Sequence, residues 1–152
     1  MQKIVTHLWF DHQAEDAAKF YTSIFKNSKI GNIARYGESA AAMTVQFELD
    51  GQPFYALNGG PIFKFTEAMS LVANCDDQIE VDRLWGTLSQ GGQSGQCGWL
   101  KDKYGLSWQI VPTVLREMMQ DMDPKKTENV MNALLLMTKL DIDGLEQAYR
   151  EQ

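Results

Sequence analysis

The imidazoles and thiols of the chain, the side chains best suited to proton transfer near neutral pH, to thiolate attack or to holding a soft metal, are His7, His12, Cys75 and Cys97. His7 stands in Thr6-His7-Leu8-Trp9-Phe10, where strand alternation puts Ile4, Thr6, Leu8 and Phe10 on one face and Val5, His7 and Trp9 on the other. Histidine titrates near neutral pH, so His7 suits a general base or a ligand contact; a histidine hydrogen-bonded inside a sheet suits the same pattern. His12 lies in a turn and reads as exposed or capping. Cys97, between Gln96 and Gly98, has no activating base or helix N-terminus in its sequence surroundings and reads as a structural thiol. Cys75 precedes Asp76 and Asp77, whose charge disfavours a thiolate, so it reads as inert.

Aromatic and glycine-rich stretches narrow the chemistry further. Trp9 shares a face with His7 and is expected as a pocket wall, whereas Trp108 has the opposite parity to Gln109 and is expected to pack, as is Trp85 on a helix stripe. Gly91-Gly92-Gln93-Ser94-Gly95 follows a helix and does not join a strand to one. No G-x-G-x-x-G or Walker pattern occurs, so a phosphate cradle lacks its context. Lys101-Asp102-Lys103 reads as a solvated hairpin, with Lys101 as an anion anchor the alternative.

The elements that must hold these groups repeat. The first strand runs from Lys3 to Phe10 and, with both faces partly apolar, is expected to be an inner strand covered on each side. Asp11 is placed to cap a helix whose stripe is Ala17, Phe20, Tyr21 and Ile24, ending near Asn27. Strands over 29–36 and 42–50 follow, then an Asp50-Gly51 hairpin into Pro53-Phe54-Tyr55-Ala56-Leu57. A second copy opens with a strand over 67–75. Asp77 and Glu80 give a capping box, and Val81, Leu84, Trp85 and Leu88 repeat the helix spacing. Only a stunted strand fits before Cys97–Lys101 and the hairpin into 106–111. Beyond Pro112 the pattern is helical: 114–121, a helix capped by Asp123 with Pro124 at its first position and a stripe of Val130, Met131, Leu134, Leu135 and Met137, and a last helix from Asp141 or Asp143. These helices, rich in methionine, are expected to cover the sheet or a partner subunit.

Composition sets the outer limits. The 152 residues suit a single domain with a real core, and 44% hydrophobic with 22% charged residues is ordinary for a globular chain. Fourteen Lys and Arg against twenty Asp and Glu, net −6, argue against a nucleic-acid or anionic-membrane surface. No run approaches the roughly 18 apolar residues of a membrane span. With two cysteines and no secretory pattern before the first strand, a cytoplasmic location is expected.

The paired βαβββ order, with Thr6-His7-Leu8-Trp9-Phe10 leading into Ala14-Glu15-Asp16-Ala17-Ala18-Lys19-Phe20-Tyr21, resembles the vicinal oxygen chelate (glyoxalase/bleomycin resistance) superfamily. Within it, Ala56-Leu57-Asn58-Gly59-Gly60-Pro61, Gln96-Cys97-Gly98-Trp99-Leu100-Lys101-Asp102 and Gly105-Leu106-Ser107-Trp108-Gln109-Ile110-Val111-Pro112 resemble the PhnB-like branch, often labelled 3-demethylubiquinone methyltransferase-like. The resemblance runs through nearly the whole chain. It implies an α+β fold of one domain over 1–152: a βαβββ module at 1–61 and a shortened one at 66–112 forming an incomplete barrel around a cleft, then a helical tail at 113–152, usually as a homodimer. Metal-using members place ligands at the first strand and near the last strand of each module. Carried over singly, those positions are His7, Asn58, Ser70 and Gln109, with Gln109 where a glutamate commonly stands.

That set offers one good metal ligand, two neutral amides and a hydroxyl, which suits a hydrogen-bonded organic ligand better than a tightly held ion. The expectation is therefore a PhnB-like protein binding a small organic molecule in the cleft through His7, Trp9, Asn58, Ser70 and Gln109, with no cofactor assigned. The alternative keeps a divalent metal on His7 and Gln109 in a lyase, isomerase or dioxygenase.

Overall fold

The computed structural model describes residues 2–38 and 41–151. In chain order the elements are β1 (Thr6–Phe10), α1 (Ala14–Ile24), β2 (Lys29–Arg35), β3 (Ala42–Leu49), β4 (Gln52–Asn58), β5 (Ser70–Cys75), α2 (Gln78–Ser89), β6 (Gln93–Ser94), β7 (Trp99–Lys101), β8 (Ser107–Pro112), α3 (Thr113–Met119), α4 (Pro124–Leu135) and α5 (Ile142–Arg150). They form an α+β chain of two compact units that divide between Phe65 and Thr66.

In the first unit the open sheet has the order β1-β4-β3-β2, with β1 parallel to β4 and the other pairs antiparallel. The two-residue Asp50-Gly51 loop, with φ of 50° and 79°, sets Leu49 opposite Gln52 and so fixes the β3–β4 register. One face of the sheet carries Leu8, Phe10, Val45, Phe47, Leu49, Phe54 and Ala56. It packs on Ala14, Ala17, Ala18, Tyr21 and Ile24 of α1, all buried. Each such large side chain stabilises the unit by about 1.5–3 kcal/mol, and Phe47 stacks on Phe54 at 5.3 Å.

Two expectations for this unit are corrected. β1 begins at Thr6 and is an edge strand of its sheet, pairing there with β4 alone, and His7 is exposed. An apolar run on both faces does not distinguish an inner strand from an edge strand. Nor does Asp11 cap α1: Gln13 stands at the cap position without a side-chain bond, and the Ala14 N–H donates to Asn58 Oδ1 at 2.9 Å. The cap comes from 44 residues downstream, beyond the reach of local sequence rules.

The second unit repeats the plan with sheet order β5-β8-β7-β6, β5 parallel to β8. It is shortened as expected: β6 has two residues. β5 starts at Ser70 rather than Glu67, because 67–69 form a turn. Asp77 caps α2 as expected, accepting from Glu80 N at 2.8 Å, while the Glu80 carboxylate reaches one residue past the cap and accepts from Asp76 N at 2.9 Å. Val81, Leu84 and Leu88 are buried and Trp85 is half-buried. The strand expected from Cys97 begins at Trp99, since Cys97 and Gly98 have φ of 59° and 84°. Their N–H groups donate at 2.8 Å to the carbonyls of Met137 and Thr138, anchoring the tail.

The tail has its own core of Leu115, Met118, Val130, Leu140 and Leu145. Asp123 and Asp141 cap α4 and α5 by accepting from Lys125 N and Gly144 N. The α4 stripe is narrower than expected, because Met131 and Leu135 are exposed while Val130 is buried. Gln78 of α2 ties the tail down, donating to Leu140 O at 3.0 Å and accepting from Ile142 N at 2.8 Å. Among the described residues no helix is long and apolar enough to cross a membrane.

Candidate functional site

Strand parity sends a second set of side chains to the face of the first sheet turned away from α1. Register puts His7 beside Tyr55, and Tyr55 beside Gln46; one row further, Trp9 is beside Leu57, and Leu57 beside Thr44. The His7 ring stacks on Tyr55 with centroids 4.7 Å apart and planes 13° apart. Gln46 Nε2 donates to Tyr55 Oη at 2.5 Å, using an acceptor site of that oxygen and leaving its proton to be offered elsewhere. An adjoining groove of about 520 Å³ is lined by Val5, Lys29, Gly31, Gln46, Glu48 and Tyr55. Its size lies within the usual range for small-molecule sites.

Trp9 is fixed in place. Its Nε1 donates to Gly60 O at 2.9 Å, and Phe63 meets the indole edge-on at 5.0 Å. Gly59 lies flat against the ring, where any Cβ would overlap the indole carbons. With its one donor used, Trp9 presents an apolar wall beside His7.

Asn58 has the other parity, sharing the α1-facing side with Phe54 and Ala56. Its amide holds backbone at both ends: Oδ1 accepts from Ala14 N, and Nδ2 donates to Ala42 O at 3.0 Å. The expectation that it faces a ligand alongside His7 is corrected to a structural role joining β4, α1 and β3.

In the second unit Ala73, Cys75, Trp108 and Ile110 are buried on the α2 side, which leaves Ser70, Gln109, Ser107, Trp99 and Lys101 to the opposite face. Gln109 Nε2 donates to Ser70 Oγ at 3.0 Å. Trp108 packs as expected. Its partner is a correction, because Asp102 is no solvated hairpin residue: it is 2% exposed and accepts from Tyr104 N, Leu106 N and Trp108 Nε1 at 2.8, 3.1 and 2.9 Å. Asp at the first and Gly105 at the fourth position of a four-residue turn was the available signal for this role.

Of the thiols, Cys75 is buried and its pKa is pushed up to about 12, chiefly by desolvation and then by the Glu80 charge. That makes it a poor nucleophile. Cys97 is half-buried and free, and His12 is exposed, 3.6 Å from Asp11. Among the described residues no three His, Cys, Asp or Glu side chains converge as a metal site would require. The positions carried over from metal-using relatives do not fit an ion. His7 is stacked on Tyr55, the Asn58 amide holds backbone, and Gln109 donates to Ser70, with no carboxylate among them to offset the ion's desolvation.

Sequence reasoning passed over Tyr55 and Gln46. Both were within reach: the two-residue Asp50-Gly51 loop fixes 49 opposite 52 and therefore 46 opposite 55, and parity then gives the face.

Two βαβββ units with open mixed sheets, each closed by one helix, define the glyoxalase/bleomycin resistance fold. Residues 2–111 match the family described as 3-demethylubiquinone-9 3-methyltransferase, and the chain belongs to that PhnB-like family. It is similar to the PhnB protein from Bacillus cereus, with 38% identity, TM-score 0.69, and coverage of 73% of this chain and 99% of that one. The protein PA1353 from Pseudomonas aeruginosa has TM-score 0.63 at 18% identity, covering 74% and 98%. The fosfomycin resistance protein FosX from Listeria monocytogenes has TM-score 0.58 at 13% identity, covering 79% and 98%; these last two share the fold. No curated protein matches the chain.

Proposed function

We propose that this chain binds a small organic ligand against the open face of its first sheet, with His7, Tyr55, Gln46 and Trp9 as the contact groups. The observation that carries the reading is the stacked and hydrogen-bonded row His7–Tyr55–Gln46 beside a groove of ligand size. The row offers an aromatic surface, an imidazole and a phenolic proton, while Trp9 supplies a wall that does not have to be ordered on binding. Ser70 and Gln109 belong to the same reading as a polar pair on the open face of the second sheet. Metal-assisted lyase, isomerase or dioxygenase chemistry has little support in a donor set of His7, Asn58, Ser70 and Gln109, which lacks a carboxylate and whose amides are engaged within the protein.

The methyltransferase description of the family is not carried over as an activity. Neither strand-to-helix turn, Asp11-His12-Gln13 or Asp76-Asp77, is a glycine-rich loop, and the sheets are not doubly wound parallel sheets of the Rossmann kind. A homodimer is part of the proposal, supported by the exposed Met131, Leu135 and Leu136 around the end of α4. So is a reducing, cytoplasmic location, supported by two free thiols.

The test is a thermal-shift screen of small organic compounds, followed by dissociation constants for the hits on wild type, His7→Ala and Gln46→Ala. Each variant is expected to weaken binding about tenfold, the loss of one hydrogen bond or stacking contact. Unchanged affinity in both would sink the assignment.

A further inference from the structure

Asn58-Gly59 is the chain's one Asn-Gly pair, and two separate structural demands put it there. The Asn58 amide ties three elements: Oδ1 accepts from Ala14 N at the start of α1 at 2.9 Å, and Nδ2 donates to Ala42 O of β3 at 3.0 Å. A carboxylate has no donor for Ala42 O, so the tie needs a neutral amide. Gly59 is required by Trp9, because a Cβ there would overlap the indole carbons.

Side by side, these two residues are open to attack on themselves. With no Cβ on glycine to hinder approach, its backbone nitrogen can reach the side-chain carbonyl carbon of the preceding asparagine. The N–Cγ bond forms as the nitrogen loses its proton to hydroxide; the Cγ–Nδ2 bond then breaks, and ammonia leaves with a proton taken from water. Water opens the resulting cyclic imide at one of its two carbonyls, giving aspartate or isoaspartate. Nothing is oxidised or reduced.

The fold holds the reacting atoms off that path. Gly59 N–H donates to Phe10 O at 2.9 Å and Gly60 N–H to Asp11 O at 3.1 Å, which continues the β1–β4 pairing past Asn58. Cγ of Asn58 is pinned through both of its substituents. Trp9 lies against Gly59, and its Nε1 donates to Gly60 O at 2.9 Å, so the indole latches both glycines to β1. Before Gly59 N can turn toward Cγ, the end of β4 must leave β1.

We propose that Asn58-Gly59 is a latent self-modification site, sealed in the folded first unit and reacting only in chains whose β4 end has opened, with products that do not reclose properly. Aspartate at position 58 sets an oxygen against Ala42 O, acceptor facing acceptor. The α1 N-terminus favours its charge, but by less than the lost bond and the new repulsion cost. Isoaspartate inserts a Cβ into the main chain and shifts Gly59 out of register with Phe10 O. The tie between β4, α1 and β3 is broken in both, so the modification is a one-way record that the chain has opened.

The experiment incubates wild type in mildly alkaline buffer, folded and in denaturing guanidinium chloride, with folded Trp9→Phe in parallel. Mass spectrometry of the tryptic peptide carrying residues 58 and 59 follows loss of ammonia and gain of water, and separates the two products. Folded wild type is expected to react about a hundredfold more slowly than the unfolded chain, since several hydrogen bonds must open together. Trp9→Phe, without the indole donor to Gly60 O, should react about tenfold faster than folded wild type. Asn58→Asp, made directly, should unfold at a lower urea concentration than wild type.

Equal rates in folded and unfolded wild type would overturn the proposal, and that comparison needs no variant to fold. So would a folded Trp9→Phe that reacts no faster than wild type, or an Asn58→Asp midpoint at or above that of wild type.

Discussion

Replacing Asp102 by Asn exchanges one oxygen for an NH2 group, and the structure turns that change into a large cost. Oδ1 accepts from Tyr104 N and Leu106 N, and Oδ2 accepts from Trp108 Nε1, all inside a hairpin that is 2% exposed at Asp102 and 3% at Trp108. An asparagine that keeps its oxygen on the two backbone donors aims its NH2 at the indole N–H, donor against donor. The flipped amide keeps the indole and leaves two backbone N–H groups unpaired. Either way at least one hydrogen bond to a charged acceptor is lost, about 1.5–3 kcal/mol, and a buried donor is stranded for about 1–3 kcal/mol. Because the two figures overlap for the same group, about 3 kcal/mol is expected for Asp102→Asn and about 4 kcal/mol for Asp102→Ala, where all three donors lose this acceptor. Against a domain stability of about 5–15 kcal/mol this is a severe loss. Urea unfolding followed by tryptophan fluorescence reads it as a fall in midpoint, with an altered native spectrum reporting the Trp108 environment. An Asp102→Asn midpoint equivalent to less than about 0.5 kcal/mol of change would refute the reasoning and restore a solvated hairpin carboxylate.

Two further predictions separate structural from binding groups. Asn58→Ala removes the cap on Ala14 N and the donor to Ala42 O, and is expected to cost about 2 kcal/mol by thermal or urea unfolding. Affinity for first-sheet ligands should be unchanged in it at temperatures where it is folded, and a folded variant with lost affinity would return Asn58 to the site. In native protein at about pH 8, near the ordinary cysteine pKa, iodoacetamide should label Cys97 and spare Cys75, whose thiol is pushed up to about 12 by burial; mass spectrometry of tryptic peptides checks this, and Cys75 should label once the protein is unfolded.

The repeat was legible because strand period, helix period and the turn chemistry of Asp50-Gly51 and Asp77–Glu80 are local signals, and the structure keeps all of them. Misread features were those whose partner is remote in sequence. Asn58 reaches back 44 residues to cap α1, and pairing order, which no single strand encodes, makes β1 an edge strand. Asp102 shows the limit of reading charge as exposure: flanked by two lysines it looks solvated, yet three donors converge on it. Within the candidate site, His7 and Trp9 followed from alternation alone. Tyr55 and Gln46 required register as well as parity.

The central claim, that the exposed row of the first sheet is a ligand site, is tested most directly by amide and aromatic chemical-shift mapping with a hit from the screen. The account predicts perturbations concentrated at His7, Gln46, Tyr55 and the Trp9 indole, and their loss in His7→Ala. Saturable binding whose shifts fall outside β1, β3 and β4, or persist undiminished in His7→Ala, would contradict it.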